Sequence, residues 1–207
     1  MNILANQELI GWSLLLSAAL SILGFIFLSL MFSVKITPFG RLNDITVVLS
    51  LLVLLPYMLG VYGSISVDYP ILGLIALLTG ISGIGLVTVT QTRLVLKKVE
   101  LEKNMPEVAF GSGLLGTSIL LNNLLGHSIK LFPDFHNLSG IATGILMAMG
   151  IPTALFFVKE LLNMMSGKLI WAKANKAALA MIILSFIGQI GYLIWVIGLG
   201  NYLKPYL

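Results

Sequence analysis

The sequence predicts an all-α integral membrane protein, a compact bundle of six transmembrane helices with both termini on the non-cytoplasmic side. Three observations support this prediction. The chain is strongly apolar, since 58% of its residues are hydrophobic, only 10% are charged and its mean hydropathy is +1.03. It contains six long uncharged runs, and its basic residues lie in alternate connections between them. A soluble domain carries about a quarter charged residues, so lipid is the expected solvent.

The six uncharged runs set the expected boundaries of the helices. They are residues 9–34, 45–67, 69–92, 108–129, 137–158 and 177–203. A bilayer core of about 30 Å requires roughly 20 helical residues, and every run reaches that length. Backbone groups find no partner in hydrocarbon, which predicts α-helix throughout, and the alternating segments of roughly ten residues typical of β-barrels are absent. Residues 1–207 are therefore expected to form a single transmembrane domain.

Charge segregation predicts the orientation of the bundle. Ten of the twelve basic residues lie in the first, third and fifth connections: Lys35, Arg41, Arg93, Lys97, Lys98, Lys103, Lys159, Lys168, Lys173 and Lys176. Only Lys130 and Lys204 lie on the other side. Because cytoplasmic loops carry an excess of Lys and Arg, these connections are expected in the cytoplasm of a multi-pass plasma-membrane protein. Five aromatic residues fall near the predicted outer interface, as an aromatic belt would: Trp12, Tyr62, Tyr69, Tyr202 and Tyr206.

Two connections are longer than the others, residues 93–107 and 159–176. The second contains apolar residues among lysines, a pattern typical of a helix that lies at the interface with anionic lipid. A short extension of the fifth helix, followed by a turn at Gly167, explains the same pattern equally well. Both interpretations stay open at the level of sequence.

The spans lack the residues that most membrane chemistry requires. No Asp, Glu, Lys, Arg or His lies near the centre of any run. Such residues cost about 2.5–3.5 kcal/mol each on insertion, and they normally mark proton-driven transporters, pumps and voltage sensors. The chain has no cysteine, and it lacks GxSxG, HExxH, P-loop and GxGxxG motifs. We therefore expect no catalytic site and no enzyme activity.

The expected partners follow from the same composition. The basic residues flank apolar runs and form no continuous face, so nucleic acid is not an expected partner. The lipid bilayer is one expected partner. Other membrane subunits, or a second copy of the chain, are others, because small residues on helix faces favour close packing between helices.

Small and polar residues recur at helical spacing in several runs. Such stripes are ordinary where helices pack closely, because small residues let backbones approach and amides hydrogen-bond across helices. They also suit a polar cavity between the third and fourth helices. For that alternative the expected ligand- or pore-lining residues are Thr88, Gln91, Asn122 and Asn123.

Two prolines lie inside predicted spans, Pro56 in the second and Pro152 in the fifth. Each lacks an N–H, so the carbonyl one turn earlier, at Leu52 or Ala148, loses its helical partner. The resulting kinks are hinge candidates. Kinks that are packed and satisfied by neighbouring Ser or Thr side chains are the alternative.

Two histidines flank the predicted outer loop between the fourth and fifth helices. His127 and His136 lie there with Lys130 and Asp134. Imidazoles beside a carboxylate can ligate a metal or the edge of a haem. The spacing matches no metal motif, and interfacial histidines are commonly polar end groups. No cofactor is therefore expected, with haem or metal at the outer surface as the alternative.

A resemblance is carried by two segments. Residues 131–144 read Leu-Phe-Pro-Asp-Phe-His-Asn-Leu-Ser-Gly-Ile-Ala-Thr-Gly, and residues 111–116 read Gly-Ser-Gly-Leu-Leu-Gly. The first is a Leu-x-Pro turn followed by Leu-x-Gly-Ile-x-x-Gly at a helix start. It resembles a pattern in uncharacterised bacterial multi-helix membrane proteins. The resemblance implies a multi-helix membrane fold, and it carries over no activity and no functional residue.

Three functions are compatible with these observations. The expectation is a non-enzymatic bundle, a structural or accessory subunit of a membrane complex, because buried charge and catalytic groups are missing from the spans. The first alternative is a carrier or channel for a small neutral or weakly polar solute, which needs a hydrated path between helices. The second alternative is a haem- or metal-binding redox subunit that uses the two histidines.

The predicted orientation is testable because the chain contains no native cysteine. We expect a single cysteine introduced as Lys97→Cys to resist a membrane-impermeant maleimide added to intact cells, and to react after permeabilisation. Lys130→Cys should react in both conditions and serves as the control. Labelling of Lys97→Cys in intact cells would contradict the assignment of the basic loops to the cytoplasm.

Overall fold

The computed structural model of the protein describes residues 6–34, 37–96, 101–165 and 175–204. These residues are almost entirely helical and contain no strand. The helices are α1 (Gln7–Val34), α2 (Thr37–Val53), α3 (Leu55–Ile65), α4 (Pro70–Val95), α5 (Leu101–Ser128), α6 (Asp134–Ala148), α7 (Gly150–Phe156), α8 (Val158–Met165) and α9 (Lys176–Leu203).

Six stretches of the described residues are long and apolar enough to cross a membrane. In chain order these are spans 1 to 6: Gln7–Val34, Pro38–Ile65, Pro70–Val95, Asn104–Ser128, Asp134–Phe156 and Lys176–Leu203. The prediction of an all-α protein with six helices long and apolar enough to span a membrane is thereby confirmed, and the orientation of the termini stays a prediction. Span 2 differs most from its predicted boundaries, since it begins at Pro38 rather than at residue 45. Asp44 therefore lies within the helix.

The six spans form a closed ring. Each span packs against the next one along the chain, and span 6 packs against span 1. Short connections make consecutive spans antiparallel. Spans 1, 3 and 5 end at one side of the bundle, and spans 2, 4 and 6 begin at that same side. We name it the basic end, because the connections of the sequence between these helix ends are rich in lysine. The opposite end, which contains Gln7 and Leu203, is named the termini end.

Glycines permit the close approaches within this ring. A Cβ on Gly144 of span 5 would lie only 2.5 Å from the backbone nitrogen of Leu120 in span 4. A Cβ on Gly11 of span 1 would lie 3.0 Å from the carbonyl oxygen of Gly200 in span 6. Helices in lipid gain little from hydrophobic burial against each other, so contact between backbones is an important source of their association.

Proline interrupts two of the spans. Span 2 breaks at Leu54, whose N–H bonds the Leu51 carbonyl at 3.2 Å, and Pro56 lies in the first turn of α3 beyond it. Span 5 breaks at Met149, whose N–H bonds the Leu146 carbonyl at 3.3 Å, shortly before Pro152. Proline removes the helical donor and crowds the preceding turn, which accounts for both interruptions.

A separate short helix follows span 5. Phe157 leaves the helical conformation, with φ −126° and ψ 30°, and α8 begins at the next residue. The Leu161 side chain on α8 is only 5% exposed and packs against the bundle. Gly167, the predicted turn position, lies outside the described residues.

The two halves of the ring are packed differently. Most of the large, fully buried side chains lie in the half next to the termini end, on α1, α5 and α9 and on α3 with its N-cap Leu54: Ile10, Leu14, Leu54, Tyr57, Met58, Val61, Ile65, Ile119 and Leu199. The Tyr57 and Trp195 rings meet edge to face there, with centroids 5.5 Å apart. In the half next to the basic end, the helices instead surround a cavity.

The glycine contacts generate a stability prediction with a matched control. Gly144→Ala should destabilise the protein by about 1–3 kcal/mol, because the new methyl group displaces the backbone of span 4. Gly85→Ala should stabilise it by up to about 1 kcal/mol, since the Gly85 Cβ position has nothing within 4 Å and alanine has the higher helix propensity. Unfolding of the purified protein in detergent measures both. Equal or greater stability of Gly144→Ala would contradict the proposed contact.

Candidate functional site

The cavity has a volume of about 280 Å³. It is enclosed by spans 1, 2, 3, 4 and 6, with contributions from α6, α7 and α8. Most of its lining is aliphatic or aromatic. The polar lining residues are Ser21, Asn43, Asp44, Ser50, Gln91, Ser112, Thr153, Ser185, Gln189 and Tyr192. Among the described lining residues, Asp44 is the one that is charged, and most of the others are apolar.

A hydroxyl network forms the deep end of the cavity, near the middle of spans 1, 2 and 6. Ser17 Oγ lies 3.1 Å from Tyr192 OH and 3.1 Å from Ser50 Oγ. Ser21 Oγ lies 2.6 Å from Ser50 Oγ, which also donates to the Ser17 carbonyl. Each hydroxyl is both donor and acceptor, so these groups largely satisfy one another in a buried place. The network joins three helices.

Aromatic rings close the cavity above this network, towards the termini end. Tyr192 and Trp195 have centroids 6.4 Å apart, and Trp195 in turn contacts Tyr57. The Trp195 indole N–H donates to the His136 carbonyl at 3.1 Å, which holds the ring in place. The Tyr57 ring is fully buried, and its hydroxyl oxygen has no hydrogen-bond partner among the described residues. The cavity is thus blocked on this side.

Asn43 and Asp44 line the other end of the cavity, in the second turn of α2. With a rise of 1.5 Å per residue, Asp44 lies about 9 Å along the helix from Pro38. The Asn43 amide donates to the Asp44 carboxylate at 3.2 Å. None of the described basic side chains forms an ion pair with Asp44. The charge thus faces a largely apolar space with only a neutral neighbour.

A second carboxylate at the basic end is paired instead. Arg93 Nη1 lies 3.3 Å from Glu107 Oε2, and Thr90 Oγ1 lies 3.1 Å from the same oxygen. The Asn104 amide donates to the Thr90 carbonyl at 3.1 Å. These bonds connect spans 3 and 4 beside the cavity. They offset the charge of Glu107, whereas Asp44 has no ion pair among the described residues.

The structure brings only one of the four expected lining residues to the cavity. Gln91 lines it, and its Oε1 atom is buried without a partner among the described residues. Thr88 is partly buried, and its hydroxyl also lacks a partner there, but it does not line this cavity. Asn122 and Asn123 are 3% and 0% exposed and lie between helices.

The two asparagines have structural contacts. Asn122 Nδ2 lies 3.4 Å from Ser118 Oγ, which donates to the Ala76 carbonyl of span 3 at 2.6 Å. Asn123 Nδ2 donates to the Ile119 carbonyl, and its amide fills the space left by Gly140 of span 5. These contacts hold span 4 against its two neighbours, which is the close-packing interpretation of the polar stripes.

The histidines lie at the termini end, away from the cavity. His127 Nδ1 is 3.3 Å from Asp134 Oδ1, and both side chains are well exposed. The His136 ring packs 5.2 Å from the Tyr202 ring, between centroids. Among the described residues, no three His, Asp or Glu side chains are grouped as a metal site would require. His127 and His136 therefore lack a third metal ligand among the described residues, and their role in binding a metal or haem stays a prediction.

Sequence reasoning missed several cavity residues. Asp44 and Asn43 fell just outside the uncharged run that set the predicted start of span 2. The Pro-Phe-Gly sequence at 38–40 was the available signal, because proline is favoured in the first turn of a helix. Gln189 and Tyr192 lie on α9, far in sequence from Ser50 on α2. No local pattern connects them.

Comparisons with protein-family models, with curated proteins and with solved structures find no match to this chain. The resemblance drawn from residues 111–116 and 131–144 therefore stays a prediction.

The cavity predicts a contrast between two serines on α5. Ser112 lines the cavity, whereas Ser118 is fully buried in the contact with span 3. We expect Ser112→Cys to react with a small water-soluble methanethiosulfonate about tenfold or more faster than Ser118→Cys, because only a hydrated thiol ionises readily. Mass spectrometry of the intact protein measures both rates. Equal rates would contradict a water-accessible cavity.

Proposed function

We propose that the protein is a membrane carrier for a small, largely apolar solute, which binds in the cavity between the spans. The observation that carries this proposal is the cavity itself, whose lining residue Tyr192 packs against Trp195, which in turn packs against Tyr57 towards the termini end. An accessory subunit requires only packed helices. A dry void of 280 Å³ would cost such a bundle about 7 kcal/mol at roughly 24 cal/mol per Å³. Occupation by water or solute removes that cost.

The two helix interruptions support a carrier rather than a static binding protein. Leu51 lies beside the break at Leu54, and Met147 lies beside the break at Met149, and both line the cavity. Backbone that departs from helix within a membrane is tolerated where it borders a cavity or is buried in protein. Pro56 and Pro152 are thus located where bending of spans 2 and 5 would change the shape of the cavity.

The arrangement of the spans also supports this function. The triplet of spans 1 to 3 begins with span 1 at the termini end, and the triplet of spans 4 to 6 begins with span 4 at the basic end. The two triplets therefore have opposite orientation. Each triplet has a broken middle span. Pro56 follows the start of span 2 at Pro38 by 56 − 38 = 18 residues, and Pro152 follows the start of span 5 at Asp134 by 152 − 134 = 18 residues. Oppositely oriented triplets with discontinuous helices are typical of secondary transporters.

In the proposed cycle, this structure is the conformation open towards the basic end. Transport requires a second conformation in which the aromatic contacts of Tyr57 and Trp195 separate and the basic end closes. A bound solute shifts the balance between these conformations only as far as it prefers one of them. Under the positive-inside rule the open end faces the cytoplasm, so both the orientation and the plasma-membrane location belong to this proposal.

Filling the cavity tests the proposal. Proteoliposomes containing the purified protein are incubated with a cell extract, and the solutes that accumulate are identified by mass spectrometry. We expect wild type to accumulate at least one small solute and Ser112→Trp to accumulate none, because the indole fills the cavity. Gly85→Trp adds the same side chain at an exposed, uncrowded position and should retain transport.

Ser185→Trp adds the same bulk to the cavity from span 6, and its result should match that of Ser112→Trp. Thermal unfolding verifies that each variant is folded. Undiminished accumulation by folded Ser112→Trp and Ser185→Trp would contradict transport through this cavity. Wild-type proteoliposomes that accumulate nothing would contradict the carrier function itself.

A further inference from the structure

We infer that the solute is an organic cation, a protonated or quaternary amine with an apolar body, and that Asp44 binds its positive charge. This inference rests on the proposed function, since it concerns the same cavity. It specifies the charge and the chemical class of the occupant, which the overall shape of the cavity leaves open.

Asp44 is the charged group of the cavity that has no counter-charge among the described residues. Among the described residues its carboxylate receives one hydrogen bond, from the Asn43 amide, and no ion pair. The hydroxyls at the deep end are bonded to one another. Glu107, at the same end of the bundle, already has Arg93 and Thr90. A carboxylate in apolar surroundings is costly unless a cation or several donors accompany it.

The electrostatic balance of the cavity selects the sign of the ligand. The described residues that line the cavity include one carboxylate and no Lys, Arg or His. The unpaired Oε1 of Gln91 adds a further acceptor. An anion would meet a like charge at the entrance and no cationic partner inside. A cation would gain Coulomb energy that is weakly screened, because the surrounding walls have a low dielectric constant.

The walls select an organic cation over an inorganic one. Phe25 and Phe32 on span 1 line the cavity, as does Phe186 on span 6. Ring faces attract ammonium groups, by about 0.5 to 2 kcal/mol each. A metal cation would instead need a shell of several oxygen ligands, and among the described residues no three His, Asp or Glu side chains are grouped to supply it. Carboxylate and phenyl groups together suit a hydrophobic amine.

The volume limits the size of this ligand. Pockets for drug-sized molecules start at about 300 Å³, and this cavity has about 280 Å³. A single aromatic ring or a short branched alkyl group with one ammonium head is therefore the appropriate size. Benzyltrimethylammonium is a suitable probe because its charge does not depend on pH.

Equilibrium binding of radiolabelled benzyltrimethylammonium to the purified full chain tests the inference. We expect wild type to bind it and Asp44→Asn to bind it about tenfold or more weakly, since the amide keeps the shape and removes the charge. Asp44→Glu should retain most of the affinity. Asp68→Asn, which removes an exposed carboxylate at the termini end, should bind as wild type does. Benzenesulfonate, an anion of similar size, should not compete.

A neutral probe separates this inference from the proposed function. Suppose that N-benzylacetamide binds to wild type but not to the cavity-filling variant Ser112→Trp, and that benzyltrimethylammonium binds to neither. The cavity then holds neutral solutes, and the cation inference is wrong. Equal binding of benzyltrimethylammonium to wild type and Asp44→Asn would also overturn it, as would displacement of the probe by sodium at constant ionic strength. If neither benzyltrimethylammonium nor N-benzylacetamide binds to wild type, and Ser112→Cys does not react with the methanethiosulfonate, the inference and the proposed function are overturned together.

Discussion

The structure depends first on a constraint of the bilayer, in which every backbone N–H and C=O must find its partner within the protein. Six helices satisfy this requirement within their own hydrogen bonds, and they associate through close contact rather than hydrophobic burial. Gly11 and Gly200 join the first and last spans, and Gly144 brings span 5 onto span 4. The closed ring therefore depends on positions where a side chain is absent.

The same constraint accounts for the placement of the cavity. Proline removes a backbone donor at Pro56 and Pro152, and the interruptions at Leu54 and Met149 lie close in sequence to Leu51 and Met147, which line the cavity. Between these breaks and the termini end, the aromatic side chains of Tyr57 and Trp195 pack together in the interior of the bundle. Towards the basic end, the spans surround a cavity whose lining is mostly aliphatic or aromatic, with small polar groups among it. Packing in one half and a cavity in the other are the structural basis of the carrier proposal.

Electrostatics gives the cavity its chemical character. Of the carboxylates at the basic end, Glu107 is neutralised by Arg93 across spans 3 and 4, whereas Asp44 faces the cavity beside Asn43. A buried charge without a counter-charge is expensive. The arrangement of a single carboxylate, phenyl rings and mutually bonded hydroxyls favours an occupant that brings its own positive charge and an apolar body.

The sequence by itself determined the fold class, the number of spans and the two prolines that interrupt them, because these follow from local composition and from the chemistry of single residues. It indicated Gln91 as a lining residue but grouped it with Asn122 and Asn123, which the structure places in helix contacts. Only the tertiary structure decided which polar faces meet. Ser17, Ser50 and Tyr192 share one network although long stretches of chain separate them, because helix rotation and the order of spans in the ring are set by packing between distant segments.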